Sequence, residues 1–113
     1  MENNKINFIE LQATNLKEIK KFYGDTFGWT FTDYGDTYCD FHNAGITGGF
    51  AKTETITTGG TLVVLYHISL KEAITNVITH GGKISKDIFS FPGGSRFEFI
   101  DPSGNKLAVW SNK

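Results

Sequence analysis

The segments Asn15-Leu16-Lys17-Glu18 and Ser69-Leu70-Lys71-Glu72 decide the fold of this chain. In each, a helix-capping residue is followed three positions later by a glutamate, which is typical of the first turn of an α-helix. The two copies lie 54 residues apart, and the same offset carries Gly28 onto Gly82, where each helix is expected to end. The repetition indicates that one structural module is used twice in the 113 residues.

β-prone segments surround each predicted helix. In the first module, about residues 5–52, we expect a strand over Ile6–Ala13, a helix over Leu16–Thr26 and then three strands. The second module, about residues 61–111, repeats this order with a strand over Thr61–Ile68 and a helix over Leu70–His80. The remaining strands are predicted over Trp29–Tyr34, Thr37–His42, Ile46–Lys52, Lys83–Ile88, Arg96–Ile100 and Lys106–Trp110. The sequence therefore predicts an α+β fold of two βαβββ modules.

Two segments without regular structure are predicted between these elements. Residues 53–60 are polar and end in Gly59-Gly60, so they are interpreted as the linker between the modules. Residues 90–95, which contain Pro92-Gly93-Gly94, are expected to form a looser connection than the first module has.

Composition excludes several classes of partner. The net charge is −1 and the chain has no extended basic run, so nucleic acid is not an expected partner. No segment is long and apolar enough to span a membrane, and the first residues lack the pattern of a signal peptide. The single cysteine, Cys39, cannot form an intramolecular disulfide. A cytoplasmic location without membrane or nucleic-acid partners is expected.

Three motifs resemble one known superfamily across nearly the whole chain. They are Phe22-Tyr23, Phe27-Gly28-Trp29 and the turn Asp101-Pro102-Ser103-Gly104-Asn105, set within two βαβββ modules. This arrangement is similar to the vicinal oxygen chelate superfamily, which includes glyoxalase I, bleomycin-resistance proteins and extradiol dioxygenases. The resemblance implies a single domain over 1–113, curved mixed sheets around a cupped cavity, helices on the outer faces, and a homodimer.

The resemblance also implies where a metal ion would be bound. The ligand positions of the metal-using members fall on Phe8, Leu62 and Ala108, with a fourth near Gly49 or Phe50. None of these residues offers the oxygen, nitrogen or sulfur atoms that divalent ions require. No metal cofactor is therefore expected, and a divalent metal held by a non-standard set of residues is the alternative.

Glu10 is the strongest candidate for a polar site residue. Ile9, Leu11 and Ala13 are expected to face the helix, which places Phe8 and Glu10 on the opposite, cavity-facing side of the strand. A carboxylate among aromatic rings can serve as a general base or as an anchor for a ligand. It can equally brace the sheet, and the sequence leaves both interpretations open.

His42 is a second catalytic candidate, whose orientation the sequence leaves open. Tyr38, Asp40 and His42 share one face of their strand, while Cys39 and Phe41 share the other. If the first set faces the cavity, Tyr38 becomes a ligand-binding candidate and His42 an acid–base or metal-binding candidate.

An aromatic lining is predicted for the cavity. Phe8, Phe50, Tyr66 and Trp110 would form a box that stacks a planar ligand or holds a cation, although the same residues could be ordinary packing. Arg96 would either bind an anionic ligand or be solvated.

Two functional hypotheses follow. The leading one is a glyoxalase-like protein that binds a small molecule in an aromatic cavity, with Glu10 as polar anchor and without the usual metal site. In this respect the chain resembles the bleomycin-resistance members, whose cavity sequesters a ligand without catalysis. The alternative is a lyase or isomerase related to glyoxalase I, which would use Glu10 with His42 or a non-standard metal site.

Overall fold

A computed structural model describes residues 1–57 and 59–113, so Thr58 of the predicted linker lies outside the described residues. The described residues form two compact units. We call Phe8–Thr61 the first half, and Met1–Asn7 together with Leu62–Lys113 the second half.

The order of elements is strand, helix and three strands, twice. Along the chain the elements are β1 (Lys5–Ala13), α1 (Leu16–Phe27), β2 (Thr30–Asp33), β3 (Tyr38–His42), β4 (Gly48–Lys52), β5 (Leu62–Tyr66), α2 (Leu70–Thr79), β6 (Lys83–Phe91), β7 (Gly94–Ile100) and β8 (Lys106–Ser111). The predicted α+β class and the βαβββ order are confirmed. In the described part of the chain, no helix is long and apolar enough to cross a membrane.

In the first half, strands pair in the order β2-β3-β4-β1. β1 runs parallel to β4, while β3 is antiparallel to both β4 and β2. Helix α1 begins as predicted, because the Asn15 side chain accepts a hydrogen bond from the Glu18 backbone N–H at 3.0 Å. Gly28 ends it in the left-handed conformation, with φ of 75°. The core against this helix contains the buried Ala13, Cys39, Phe41 and Phe50.

In the second half, strands pair in the order β5-β8-β7-β6. β5 is parallel to β8, and the other pairs are antiparallel. Ser69 caps α2 by accepting a hydrogen bond from the Glu72 backbone N–H at 3.3 Å. The buried core here contains Leu70, Ala73, Phe97 and Val109. The predicted Asp101 turn joins β7 to β8, and hydrogen bonds from the Asn105 side chain and backbone lower the pKa of the Asp101 carboxyl.

The prediction of a loose connection over 90–95 is wrong. β6 continues to Phe91, β7 begins at Gly94, and these two residues are direct cross-strand partners. Pro92 and Gly93 form the whole turn, and Gly93 has φ of 109°. Proline followed by a glycine with positive φ is the arrangement of a type II turn, so these residues close a tight hairpin.

Candidate functional site

Each half has a sheet face opposite its own helix, which we call its far face. In the first half, Leu11 and Ala13 pack in the core against α1, so the alternation of β1 places Glu10 on the far face. Cross-strand pairing aligns Glu10 with Gly49, and Gly49 with Asp40. Glu10 and Asp40 therefore lie in one row across three strands, with a glycine between them.

Tyr38 fills the space that this glycine leaves. A Cβ added at Gly49 would overlap the Tyr38 phenol, which shows how closely the ring lies over the backbone. The Asp40 side chain lies close enough to the Tyr38 hydroxyl to influence its pKa. Burial, followed by the negative charges of Asp40 and Glu10, raises the pKa of the Tyr38 phenol well above its ordinary range. The phenol thus remains a hydrogen-bond donor next to two carboxylates at neutral pH.

A second phenol lies near Asp40. It belongs to Tyr34, just beyond the end of β2, and the Asp40 charge, together with desolvation, raises the pKa of Tyr34. The two tyrosine rings lie 6.2 Å apart between centroids. The Asp40 carboxylate is therefore next to two neutral phenols.

The structure answers the question left open for β3. Cys39 and Phe41 lie in the helix-side core, where burial raises the pKa of the Cys39 thiol, so Tyr38 and His42 face away from the helix. His42 Nε2 lies 2.8 Å from the Thr32 hydroxyl on the neighbouring strand.

Glu10 and His42 are not brought together. His42 is two residues past Asp40 on β3, and β4 lies between β3 and β1. Standard strand spacings then separate the Cα atoms of Glu10 and His42 by about 12 Å. A direct proton transfer between the two side chains has no support in this geometry.

The prediction that Phe50 lines a cavity is wrong. Phe50 is 1% exposed and lies in the core, with its ring centroid 5.4 Å from that of Tyr23 on α1. Its register partner is Leu11, on the helix side of β1. Phe8 follows the alternation of Glu10 and remains on the far face, half-buried. The predicted aromatic box therefore loses one of its four residues.

A hollow of about 350 Å³ lies elsewhere in the first half, at the start of α1. Its lining residues are Gln12, Ala13, Thr14, Asn15, Glu18, Ile19, Phe22 and Ile56. Among the predicted site residues, none of Phe8, Glu10 or Tyr38 contributes to it.

Tyr66 and Trp110 are held in place on the far face of the second half. They are direct register partners on β5 and β8, and their rings meet edge to face at 5.4 Å between centroids. The Tyr66 hydroxyl donates to the Asn112 side chain at 2.7 Å, and the Trp110 indole N–H donates to the Asn7 side chain at 2.9 Å. Both polar ends are satisfied within the half, which fixes the orientation of the two rings.

A charged cluster lies beside these rings. Glu98 is 6% exposed, and its two carboxylate oxygens contact Arg96 Nη2 at 3.2 Å and Lys106 Nζ at 3.0 Å. Arg96 is the register partner of Trp110, and Glu98 is the register partner of the fully buried Ala108. The guanidinium of Arg96 is therefore next to the indole of Trp110 on one sheet face.

The residues at the positions that the resemblance assigns to metal ligands do not fit a divalent ion. Phe8, Leu62 and Ala108 carry no donor atoms, and the space above Gly49 is occupied by the Tyr38 ring. Nor do the described residues contain a group of three or more His, Cys, Asp or Glu side chains that could hold a metal.

Several residues that shape these faces were not predicted from the sequence. Asn7 and Asn112 fix Trp110 and Tyr66 from positions that carry no motif. Glu98 offered a weak signal, since it is a carboxylate alternating with Phe97 and Phe99 in a strand whose other face is buried.

With this geometry established, comparison with known proteins identifies the family. The family model described as the Glyoxalase/Bleomycin resistance protein/Dioxygenase superfamily matches residues 5–109. The chain belongs to this superfamily, as the motifs around α1 and the Asp101 turn had indicated.

Individual relatives agree. A glyoxylase-like domain-containing protein from Didymella fabae is 32% identical over 123 residues, which cover 93% of this chain and 91% of that protein. A superfamily member from Vibrio splendidus 12B01 has a similar structure, with a TM-score of 0.71 at 13% identity, covering 95% of this chain and 97% of that one. The Mn(II)-bound glyoxalase from Novosphingobium aromaticivorans gives 0.69 at 18% identity, covering 97% of this chain but 39% of that one. At these identities the two solved structures show a shared fold.

Proposed function

We propose that this protein binds a small planar organic molecule on the aromatic far face of its second half, without a metal ion. The observation that carries the proposal is the fixed pair of Tyr66 and Trp110. Their hydrogen bonds to Asn112 and Asn7 hold both rings in one orientation before any ligand arrives. Tyr66 is 4% exposed and supports the half-buried Trp110, so the Trp110 ring is the one that a flat ligand can contact. Because a pre-organised ring loses little conformational freedom on binding, it favours stacking of such a ligand.

The far face of the first half, taken by itself, offers Glu10 and Tyr38 as polar groups. Glu10 is half-buried on the far face, and the Tyr38 phenol provides a donor that neutral pH does not remove. These two groups suit hydroxyl or amide groups on a ligand better than they suit acid–base catalysis with His42.

The absence of donor atoms at the resembled ligand positions supports binding without a metal. The glyoxalase from Novosphingobium aromaticivorans is Mn(II)-bound, whereas in this chain the positions that the resemblance assigns to metal ligands are apolar side chains and a glycine. A shared fold with a metalloenzyme therefore does not imply a shared metal site.

The test has two measurements on one purified, dialysed sample. Elemental analysis is expected to find nickel, zinc, iron and manganese well below one ion per chain. Isothermal titration calorimetry with EDTA present is expected to detect binding of at least one compound from a panel of neutral, anionic and cationic naphthalene derivatives, which we call the naphthalene panel. Trp110→Leu should weaken that binding about tenfold or more, because stacking on an aromatic ring contributes about 1–3 kcal/mol.

Phe27→Leu is the matched control. Phe27 is an aromatic residue on α1 that is 60% exposed, so its loss should leave the affinity unchanged. Stoichiometric metal after dialysis would overturn the metal-free part of the proposal. A panel without any bound member, or equal losses in both variants, would overturn the proposed binding face.

A homodimer and a cytoplasmic location are the remaining parts of the proposal. The family resemblance supports the homodimer, and a single free cysteine fits a reducing compartment. Light scattering after size exclusion should give about twice the monomer mass of 12.6 kDa. A monomeric mass across a wide concentration range would contradict the pairing.

A further inference from the structure

Two phenylalanines are exposed on helix α1 of the first half. Phe22 is 54% exposed and Phe27 is 60% exposed, although both are large apolar residues. Their ring centroids are 6.3 Å apart, so the two rings form one surface. Both rings also contact Tyr23, which stacks on Trp29 against the helix-side core. A contiguous exposed apolar surface on a folded chain is typical of an interaction site.

The hollow at the start of α1 continues this surface. Its apolar lining includes Ile19, Phe22 and Ile56, of which Ile56 is 56% exposed. Phe22 therefore borders the hollow and also contacts the ring of Phe27. We call Ile19, Phe22, Phe27 and Ile56, together with the hollow, the α1 patch. It has a depression at the start of the helix and an exposed ring at the end.

The depression and the exposed ring are equally far from Phe22 along the helix. The residues of α1 and its cap that line the hollow are Asn15, Glu18 and Ile19, centred about five residues before Phe22. Phe27 comes five residues after Phe22. At the rise of an α-helix, each lies about 7.5 Å from Phe22. A two-fold axis through Phe22 therefore places the Phe27 ring of each copy against the hollow of the other, as an isologous interface requires.

The charges of α1 suit an antiparallel pair of helices. The first two turns carry Lys17, Lys20 and Lys21 against one acidic residue, Glu18, whereas the charge in the last turn is that of Asp25. In an antiparallel pair the basic start of one helix lies next to the acidic end of the other, and the helix dipoles oppose each other. Lys21 also contacts Asp25 at 2.7 Å within one copy, which gives the patch a charged rim.

The area of the patch can be compared with the area that a stable dimer buries. Phe22, Phe27 and Ile56 are each more than half exposed, so each leaves on the order of 100 Å² of apolar surface in water. Through these residues two copies would bury about 600 Å², which is about half of the roughly 1,200 Å² at the lower limit of specific interfaces. Interfaces of this class obtain the remaining area from a polar rim.

We infer that the α1 patch is the contact between two copies of this chain, with the two α1 helices antiparallel and Phe22 at the two-fold axis. The inference rests on the homodimer of the proposed function and names the surface that forms it. All residues of the contact belong to the first half. The binding face around Trp110 in the second half is not part of it.

Charge substitutions in the full chain test the contact. Phe22→Glu and Phe27→Glu each bury a charge in an apolar interface, so each should raise the dimer Kd about tenfold or more. Sedimentation over a concentration series measures this shift towards the monomer mass of 12.6 kDa. Ile78→Glu is the matched control, because Ile78 is 58% exposed on α2, the equivalent helix of the second half. It should leave the dimer Kd unchanged, and thermal unfolding checks that all three variants fold.

A cross-link tests the position of the two-fold axis. Phe22→Cys places two thiols at the axis, so mild oxidation at a concentration where the wild type is dimeric should give a covalent dimer. Asn76→Cys is the control at the equivalent, exposed position of α2, 54 residues later, and should give none. The wild type should give none either, because its Cys39 is buried.

The possible outcomes separate the inference from the homodimer itself. A wild-type dimer whose Kd is unchanged by both phenylalanine substitutions would overturn the inference and leave the homodimer standing. Dissociation by Ile78→Glu to the same extent, or equal cross-linking of Phe22→Cys and Asn76→Cys, would also overturn it. A wild type that is monomeric at every concentration would overturn the homodimer and the inference together.

Discussion

The two halves treat equivalent positions of the same module in opposite ways. In the first half the row across the sheet is Glu10, Gly49 and Asp40, and in the second it is Val64, Ala108 and Glu98. Each row ends in a carboxylate that is bound by the residue two positions earlier on its strand. That residue is Tyr38 in the first half and Arg96 in the second.

The difference teaches how one scaffold supports two kinds of surface. In the first half, the partners of the Asp40 carboxylate named here are the neutral phenols of Tyr34 and Tyr38. In the second half, the Glu98 carboxylate is paired with two groups of opposite charge, Arg96 and Lys106. A buried charge that is paired with opposite charge depends on its partners much more strongly than one bound by neutral donors.

The largest expected effect comes from removing the charge of the second carboxylate. Glu98→Gln should lower the free energy of unfolding by about 2–3 kcal/mol, because it removes the buried carboxylate that contacts Arg96 and Lys106. Most of this loss is assigned to Arg96, since the Lys106 side chain is 56% exposed and its ion pair is screened. Urea denaturation, followed by circular dichroism, measures the loss.

Asp40→Asn is the matched change in the first half. Asparagine still accepts a hydrogen bond from a phenol, so we expect a loss of only about 1 kcal/mol. Equal losses in Glu98→Gln and Asp40→Asn would mean that the two carboxylates are held alike, and the comparison would fail.

Most of the fold could be predicted from the sequence, because its signals are local. The Asn15 and Ser69 caps and the alternation of β1 are read from neighbouring residues, and the structure agrees with them. The connection at Pro92-Gly93 was mispredicted because a glycine-rich stretch was interpreted as a long loop. A proline followed by a glycine with positive φ needs no further residues to reverse the chain.

The candidate site was predicted less well, because its geometry depends on register. Phe50 was placed on the wrong face, since Gly48-Gly49 hides the alternation of β4. In the pairing of β6 with β7, the register shifts once between Ile84 and Lys86 and again between Lys86 and Phe89, and no feature of the sequence there indicates these shifts. The hydrogen bond from Trp110 to Asn7 joins residues 103 positions apart, and no local pattern can indicate it.

A smaller effect is expected from exchanging the small residues at the centres of the rows. Gly49→Ala should cost about 2 kcal/mol, because the new methyl group overlaps the Tyr38 ring and the Cys39 carbonyl. Ala108→Gly should cost about 1 kcal/mol, from the lost methyl and the added backbone freedom. Thermal and urea unfolding of both variants give the comparison.

A double-mutant cycle identifies the cause of the Gly49→Ala loss. In a Tyr38→Leu background the same substitution should cost about 1 kcal/mol less, because the overlapping ring is gone. An unchanged cost would assign the strain to the Cys39 carbonyl alone and would remove Tyr38 from its proposed place above Gly49.

The smallest expected effect concerns the phenol that binds Asp40, and it depends on pH. Tyr38→Phe should cost about 1 kcal/mol near neutral pH, the usual net value of one hydrogen bond. The raised pKa of Tyr38 means that the folded protein retains this proton at pH values where the unfolded chain has released it. The stabilisation is therefore complete below about pH 10, the ordinary pKa of tyrosine, and is lost as the pH rises above it.

The free energies of unfolding of the wild type and Tyr38→Phe should accordingly converge above that pH. A Tyr38→Phe difference that stayed constant with pH would show that the phenol and Asp40 do not interact as the first far face requires.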